Sequence, residues 1–167
     1  MKLGRKLVFS LVALAIIAAG VLLFAGSAAA PEVRFTTLAG ESFATSDLRG
    51  NVVLVNFWAT SCEICVKEMP MLIETHRRFA PRGYVTVAVA MRYDHPNLVA
   101  DFAQKNALPF RVALDLSGEI ARGFGDVHLT PTTIILDRRG RIVKQYLGEP
   151  DQAELRALLE KALAEPA

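Results

Sequence analysis

Two stretches of this chain are apolar almost without a break. From Asn51 to Trp58 every residue except Asn51 and Asn56 is hydrophobic, and Tyr84 to Met91 interrupts its own run only at Thr86. Half-exposed strands alternate apolar and polar residues, so continuous runs of this length read as strands covered on both faces. Between them a helix is expected from about Cys62 to Phe79, with Met69, Leu72, Ile73 and Phe79 on its inner side. Pro70 lies inside it and cannot donate to the carbonyl of Val66, which predicts a kink.

The flanking pattern supplies the remaining elements. Phe35 to Thr37 and Ser42 to Ala44, joined through Ala39-Gly40-Glu41, form a short hairpin, and Ser46 to Gly50 a turn. After the second buried strand come a helix near Pro96 to Asn106, a strand at Phe110 to Leu114 and a short helix around Gly118 to Phe124. Thr132 to Asp137 and Ile142 to Tyr146 make a hairpin about Arg138-Arg139-Gly140, and Asp151 caps a last helix reaching about Ala164.

A different pattern occupies the start. Lys2, Arg5 and Lys6 precede an uncharged stretch from Leu7 to Ala30. Its most apolar part, Leu7 to Ala25, spans about 28 Å as a helix, close to the thickness of a bilayer core. An uncleaved anchor and a cleaved signal with Ala28-Ala29-Ala30 before the cut are both compatible with it. Either way the leading cations stay inside and the remainder is exported. The expected division is therefore residues 1–30 as anchor or signal segment and 31–167 as one domain.

At 52% hydrophobic and 22% charged the chain can bury a core, which excludes disordered and fibrous classes. Its formal charge of +2 belongs to the start. Without residues 1–30 there are 19 − 3 = 16 basic against 17 acidic residues, about −1 in all, so nucleic-acid binding is not indicated.

The chemistry points to the only two cysteines, set as Cys62-Glu63-Ile64-Cys65 directly after the first buried strand. This spacing at a strand-to-helix junction brings the sulfurs within disulfide reach and places the first over amide groups that favour a thiolate. A redox-active dithiol is the leading reading. A structural staple is a poorer one, since closing so short a loop removes little entropy from the unfolded chain. A closed zinc site would need four ligands, with only His76, His95, His128 and carboxylates to complete it.

With these elements in order, the sequence resembles the thioredoxin-like fold, and more narrowly the TlpA/ResA family of membrane-facing thiol-disulfide oxidoreductases. The resemblance covers roughly residues 31 to 165. It rests on Asn56-Phe57-Trp58-Ala59-Thr60-Ser61-Cys62-Glu63-Ile64-Cys65 and the preceding Leu48-Arg49-Gly50-Asn51-Val52-Val53-Leu54-Val55. Lys67-Glu68-Met69-Pro70, Thr130-Pro131-Thr132-Thr133 and Asp137-Arg138-Arg139-Gly140 extend it. It implies a three-layer α/β/α sandwich with a central mixed sheet, an N-terminal hairpin extension and an inserted helix-strand segment.

By the same resemblance Cys62 is the attacking thiolate and Cys65 resolves the mixed disulfide. Pro131 matches the family's cis-proline, which lets Thr130 offer main-chain groups to an extended substrate. Glu68, three residues after Cys65, occupies the position of a glutamate that tunes the thiols; a buried carboxyl there could take the proton of Cys65. A solvated glutamate paired with a lysine is the alternative. Trp58 is expected in the core and as a wall of the substrate site, and Glu63 and Ile64 as tuning residues.

Three departures from the family pattern stand out. Ser61 and Ile64 replace a frequent tryptophan and proline, and Asn56 sits where cytoplasmic thioredoxins carry a buried aspartate. A neutral amide cannot relay a proton, which shifts that task toward Glu68 or water. His76 and His95 read as surface residues and His128 as a loop residue, none of them catalytic.

The expected activity is reduction of disulfides in exported clients, such as apocytochromes c or metal-site assembly proteins, with no cofactor beyond the Cys62–Cys65 pair. A membrane thiol donor would supply electrons. A dithiol oxidase and a non-catalytic Cu(I)-binding or scaffolding module are the alternatives. A peroxiredoxin is disfavoured, because the threonine it needs three residues before its cysteine is Ala59 here.

Overall fold

The structure, a computed structural model, describes residues 28–166. The proposed anchor at Leu7 to Ala25 lies outside the described residues. Among those described, no helix is long and apolar enough to cross a membrane.

The first apolar run is strand β3, Val52–Trp58, and all seven of its residues are buried. Its neighbours explain why. Strand β4, Tyr84–Ala90, pairs with it in parallel from Val52 opposite Tyr84 to Trp58 opposite Ala90, and β6, Thr132–Leu136, pairs antiparallel on its other side. Strands β5, Arg111–Leu114, and β7, Ile142–Leu147, complete a five-stranded mixed sheet in the order β5-β4-β3-β6-β7. The hairpin strands β1, Arg34–Thr36, and β2, Ser42–Ala44, form a separate two-stranded sheet.

Alternation along β3 divides the core in two. Val52, Leu54 and Trp58 face helices α1, Glu63–Phe79, and α4, Gln152–Ala164, which bring Cys65, Met69, Leu72, Leu155 and Leu159 onto the sheet. Helix α2, Pro96–Lys105, adds Val99 to the same face. Val53, Val55 and Phe57 look the other way, toward Phe35 and Phe43 of the hairpin and Ile120 and Ala121 of helix α3, Glu119–Gly123. The expected three layers, mixed sheet and hairpin extension are all present.

Helix α1 begins one residue later than expected, with Cys62 as its N-cap, and runs through Pro70 to Phe79. The strands expected at Phe35, Phe110 and Asp137 have ends displaced by a residue, where turns take over from the sheet. Thr37 leaves the hairpin to bridge Ala113 at the β5 edge. Residues 28–30 lie against the turn before β7, through Ala30 N–H to the Gly140 carbonyl at 2.8 Å and Ile142 N–H to the Ala28 carbonyl at 2.8 Å.

Candidate active site

The end of β3 and the start of α1 bring the two sulfurs together. Cys62 and Cys65 form a disulfide with their Cα atoms 5.2 Å apart. Cys62 is half-buried and caps the helix, its Sγ accepting the Cys65 N–H at 3.2 Å; Cys65 is sealed inside the core. A partner can therefore approach the first sulfur and not the second. Glu63 and Ile64 between them are exposed, Ile64 by 50%.

Behind the pair lies a small polar cluster in an otherwise apolar core. Glu68 is completely buried, which excludes the solvated, lysine-paired alternative. Asn56 Nδ2 donates to Glu68 Oε1 at 2.8 Å and to Thr133 Oγ1 at 3.1 Å, linking β3, α1 and β6. Burial raises the Glu68 carboxyl from its ordinary 4.5 to about 7; the Asn56 hydrogen bond works against the shift, and the charge of Glu149 adds to it. Among the described residues, Glu68 Oε2 and Asn56 Oδ1 have no hydrogen-bond partner. A carboxyl held near neutrality beside this helix start is suited to giving or taking a proton at physiological pH.

The loop before β6 carries Thr130 and Pro131, joined by a cis peptide bond. Pro131 is buried and Thr130 half-buried, its Oγ1 lying 3.2 Å from the Tyr93 hydroxyl. Trp58, expected in the core and as a wall for substrate, is fully buried. Its position on the α1 face of β3 places the indole under the Phe102 ring, 5.1 Å between centroids, so it supports the site from beneath.

One side chain of the site escaped notice in the sequence. Buried Asp94 accepts the Thr60 N–H at 2.6 Å and the Thr60 hydroxyl at 2.7 Å, pinning the chain two residues before Cys62. No local pattern marks it, because the partners are 34 residues apart. His95, directly after it, caps helix α2 and is exposed. His128 is exposed and paired with Asp126, as a loop histidine would be. His76 departs from the surface position expected for it: it is half-buried, with Nδ1 3.1 Å from Thr86 Oγ1 and its ring edge-on to Phe110.

Thiol-disulfide exchange is the reaction that one approachable and one sealed sulfur can perform together, and the sheet and helices around them are those of the thioredoxin-like fold. The protein is a thiol-disulfide oxidoreductase of that class. Residues 24–161 match the Redoxin family. The thiol-disulfide oxidoreductase ResA of Bacillus thuringiensis subsp. konkukian is 32% identical over 133 residues, which cover 79% of this chain and 75% of that one. ResA of Geobacillus thermodenitrificans is 30% identical, over 78% and 74% respectively. The crystal structure of a DsbF homologue from Corynebacterium diphtheriae superposes with a TM-score of 0.74 at 26% identity, covering 81% of this chain and 87% of that chain. The chain belongs to the Redoxin family and, within it, to the TlpA/ResA thiol-disulfide oxidoreductases.

Proposed function

We propose that this oxidoreductase reduces disulfides in exported client proteins, held to the outer side of the cytoplasmic membrane by residues 1–30, with residues 31–167 as the catalytic domain. The observation that carries the reading is the asymmetry of the pair: Cys62 at the helix start and open to a partner, Cys65 behind it and bonded to it. The N-terminal run supports export, either as an anchor or as a cleaved signal.

In the cycle, the Cys62 thiolate attacks one sulfur of a client disulfide. One client cysteine leaves as a thiolate and is protonated, while the other stays joined to Cys62. Cys65 passes its proton to Glu68 and attacks the Cys62 sulfur, which closes the Cys62–Cys65 bond and expels the second client thiolate. Two electrons have moved from dithiol to client. A membrane thiol donor then returns the pair to the dithiol and is itself oxidised to a disulfide. The Thr130 main chain, turned outward before Pro131, holds the client in extended form. The exchange uses no cofactor other than the cysteine pair, and Glu63 and Ile64 tune it from the rim. Apocytochromes c and metal-site assembly proteins are the clients to which the family resemblance points.

Reduction of insulin or a model disulfide peptide tests the reading. Turnover should vanish in Cys62→Ala and Cys65→Ala, with Cys65→Ala accumulating a mixed disulfide; unchanged turnover in both would end it. Direction is read by equilibration with glutathione, where a potential near about −120 mV would make the protein an oxidant.

A further inference from the structure

Beside the cysteine pair lies an open groove of about 420 Å³, bordered by Thr60 and Ser61 on one side and by helix α2 on the other. Ser61 directly precedes Cys62, so one wall of the groove is the chain neighbour of the approachable cysteine. Phe102 and Leu98 give it an apolar surface, and Leu98 leaves 57% of itself to solvent. One exposed leucine means little on a protein surface; one that faces a concave wall next to the reactive sulfur has a use.

The walls are held in place before anything binds. Phe102 packs on buried Trp58 with centroids 5.1 Å apart. Thr60 is fixed by its two hydrogen bonds to Asp94, at 2.6 and 2.7 Å. A preformed surface loses little freedom when it is filled, which favours binding. Asp101 and Lys105, also on the rim, pair with each other at 2.6 Å, and Asn106 spends an amide hydrogen on the Phe102 carbonyl at 2.9 Å. Neither a net charge nor a free carboxylate recruits an ionic group here. The chemistry left on offer is apolar contact.

We propose that this groove is a specificity subsite that receives a large apolar side chain, aromatic above all, next to the attacked cysteine of the client, and that the small Ser61 keeps it open. The proposal rests on the exchange reaction assigned above. The geometry allows it: neighbouring residues of a chain are about 3.8 Å apart, and disulfide-linked Cα atoms about 5.5–6 Å. A residue adjacent to a client cysteine joined to Cys62 is thus within reach of a groove that starts one residue away.

The test uses the full-length, reduced Cys65→Ala protein and two disulfide-cyclised peptides that differ only in a Phe or an Ala beside one cysteine. The rate of mixed-disulfide formation at Cys62 is followed by mass spectrometry. The Phe peptide should react roughly tenfold faster, equivalent to about 1.4 kcal/mol. Adding Ser61→Trp, which fills the groove, should bring the ratio within about twofold, and Leu98→Ala, at an exposed position that folding tolerates, should lower it part of the way. Equal rates with Ser61 in place, or an undiminished ratio in both variants, would overturn the subsite alone. Equal rates together with a concentration-dependent dimer that Leu98→Asp dissociates would overturn it in favour of a second copy filling the groove. Exchange with neither peptide would overturn the exchange reaction and the subsite together.

Discussion

Raising the pH from 4.5 to 8 should cost the oxidised protein about 3 kcal/mol of stability through Glu68 alone. The group is fully buried, and its carboxyl is pushed up from 4.5 to about 7 in the folded protein. Between those values the folded chain holds a proton that the unfolded chain has released. Unfolding therefore becomes easier as pH rises: the stabilising contribution is complete below about 4.5 and gone above about 7. The shift of roughly two and a half units, at about 1.4 kcal/mol per unit, sets the size. The assay is urea unfolding of the disulfide-bonded protein across this range, compared with Glu68→Gln. The substituted amide does not titrate but still offers Asn56 an acceptor. Burial holds His76 below its ordinary 6.5, which gives the opposite slope. Glu149, paired with Lys67 at 3.5 Å, is the other charge acting on Glu68. Both proteins keep His76, Glu149 and Lys67, so the difference between the curves isolates Glu68. Curves that run parallel to within about 0.5 kcal/mol would refute the assignment of a buried, proton-holding carboxyl.

Other outcomes follow from the same cluster and its surroundings. Glu68→Gln should slow closure of the Cys62–Cys65 ring about a hundredfold while leaving attack by Cys62 intact, as rapid-quench analysis of the mixed disulfide would show. Asn56→Ala removes the donor to Glu68 Oε1, so the Glu68 titration should move to still higher pH and stability should fall by about 2 kcal/mol in urea unfolding. Asp94→Ala releases both hydrogen bonds to Thr60 and should cost about 2 kcal/mol, with Thr60→Val, which keeps the main-chain bond, losing about half as much. Trp58→Phe should cost about 1–2 kcal/mol, from the cavity the smaller ring leaves, since among the described residues the indole N–H it deletes has no acceptor; a loss above about 3 kcal/mol would reveal one.

Much of this was legible from short-range pattern. Strands β3 and β4 announce themselves because a strand covered on both faces must be apolar throughout, and the cysteine spacing locates the helix start that follows. Glu68 was half legible. Cys65, Met69 and Leu72 mark the inward stripe of α1, and a carboxylate at 68 falls within that stripe, yet nothing local says whether it turns toward solvent. What stayed hidden depends on contacts between distant segments: Asp94 with Thr60, His76 with Thr86, and the seat of Trp58 under Phe102. A histidine on a charged helix reads as exposed until the strand beside it is known, and an aromatic next to a dithiol reads as both core and contact surface until a helix is laid over it.

Asn56 shows how a departure in sequence becomes intelligible in space. Taken alone, an amide at the foot of the active-site strand is a loss, since it cannot carry a proton. In the structure it is a donor to two oxygens, one of them on Glu68, and that hydrogen bond lowers a carboxyl pKa that burial alone would drive higher. Were position 56 an aspartate, two carboxyl groups would face each other in a sealed core, and one would be forced to stay protonated far above neutrality. The amide lets a single carboxyl sit near 7 and leaves Glu68 as the one titrating group of the cluster. In the proposed cycle proton transfer falls to the helix that begins at the cysteine pair, and the neutral residue on the strand is the condition for it. Asn56→Asp tests it: the pH profile of exchange should broaden into two coupled steps, and a single unshifted transition near 7 would show that residue 56 has no hold on the carboxyl it touches.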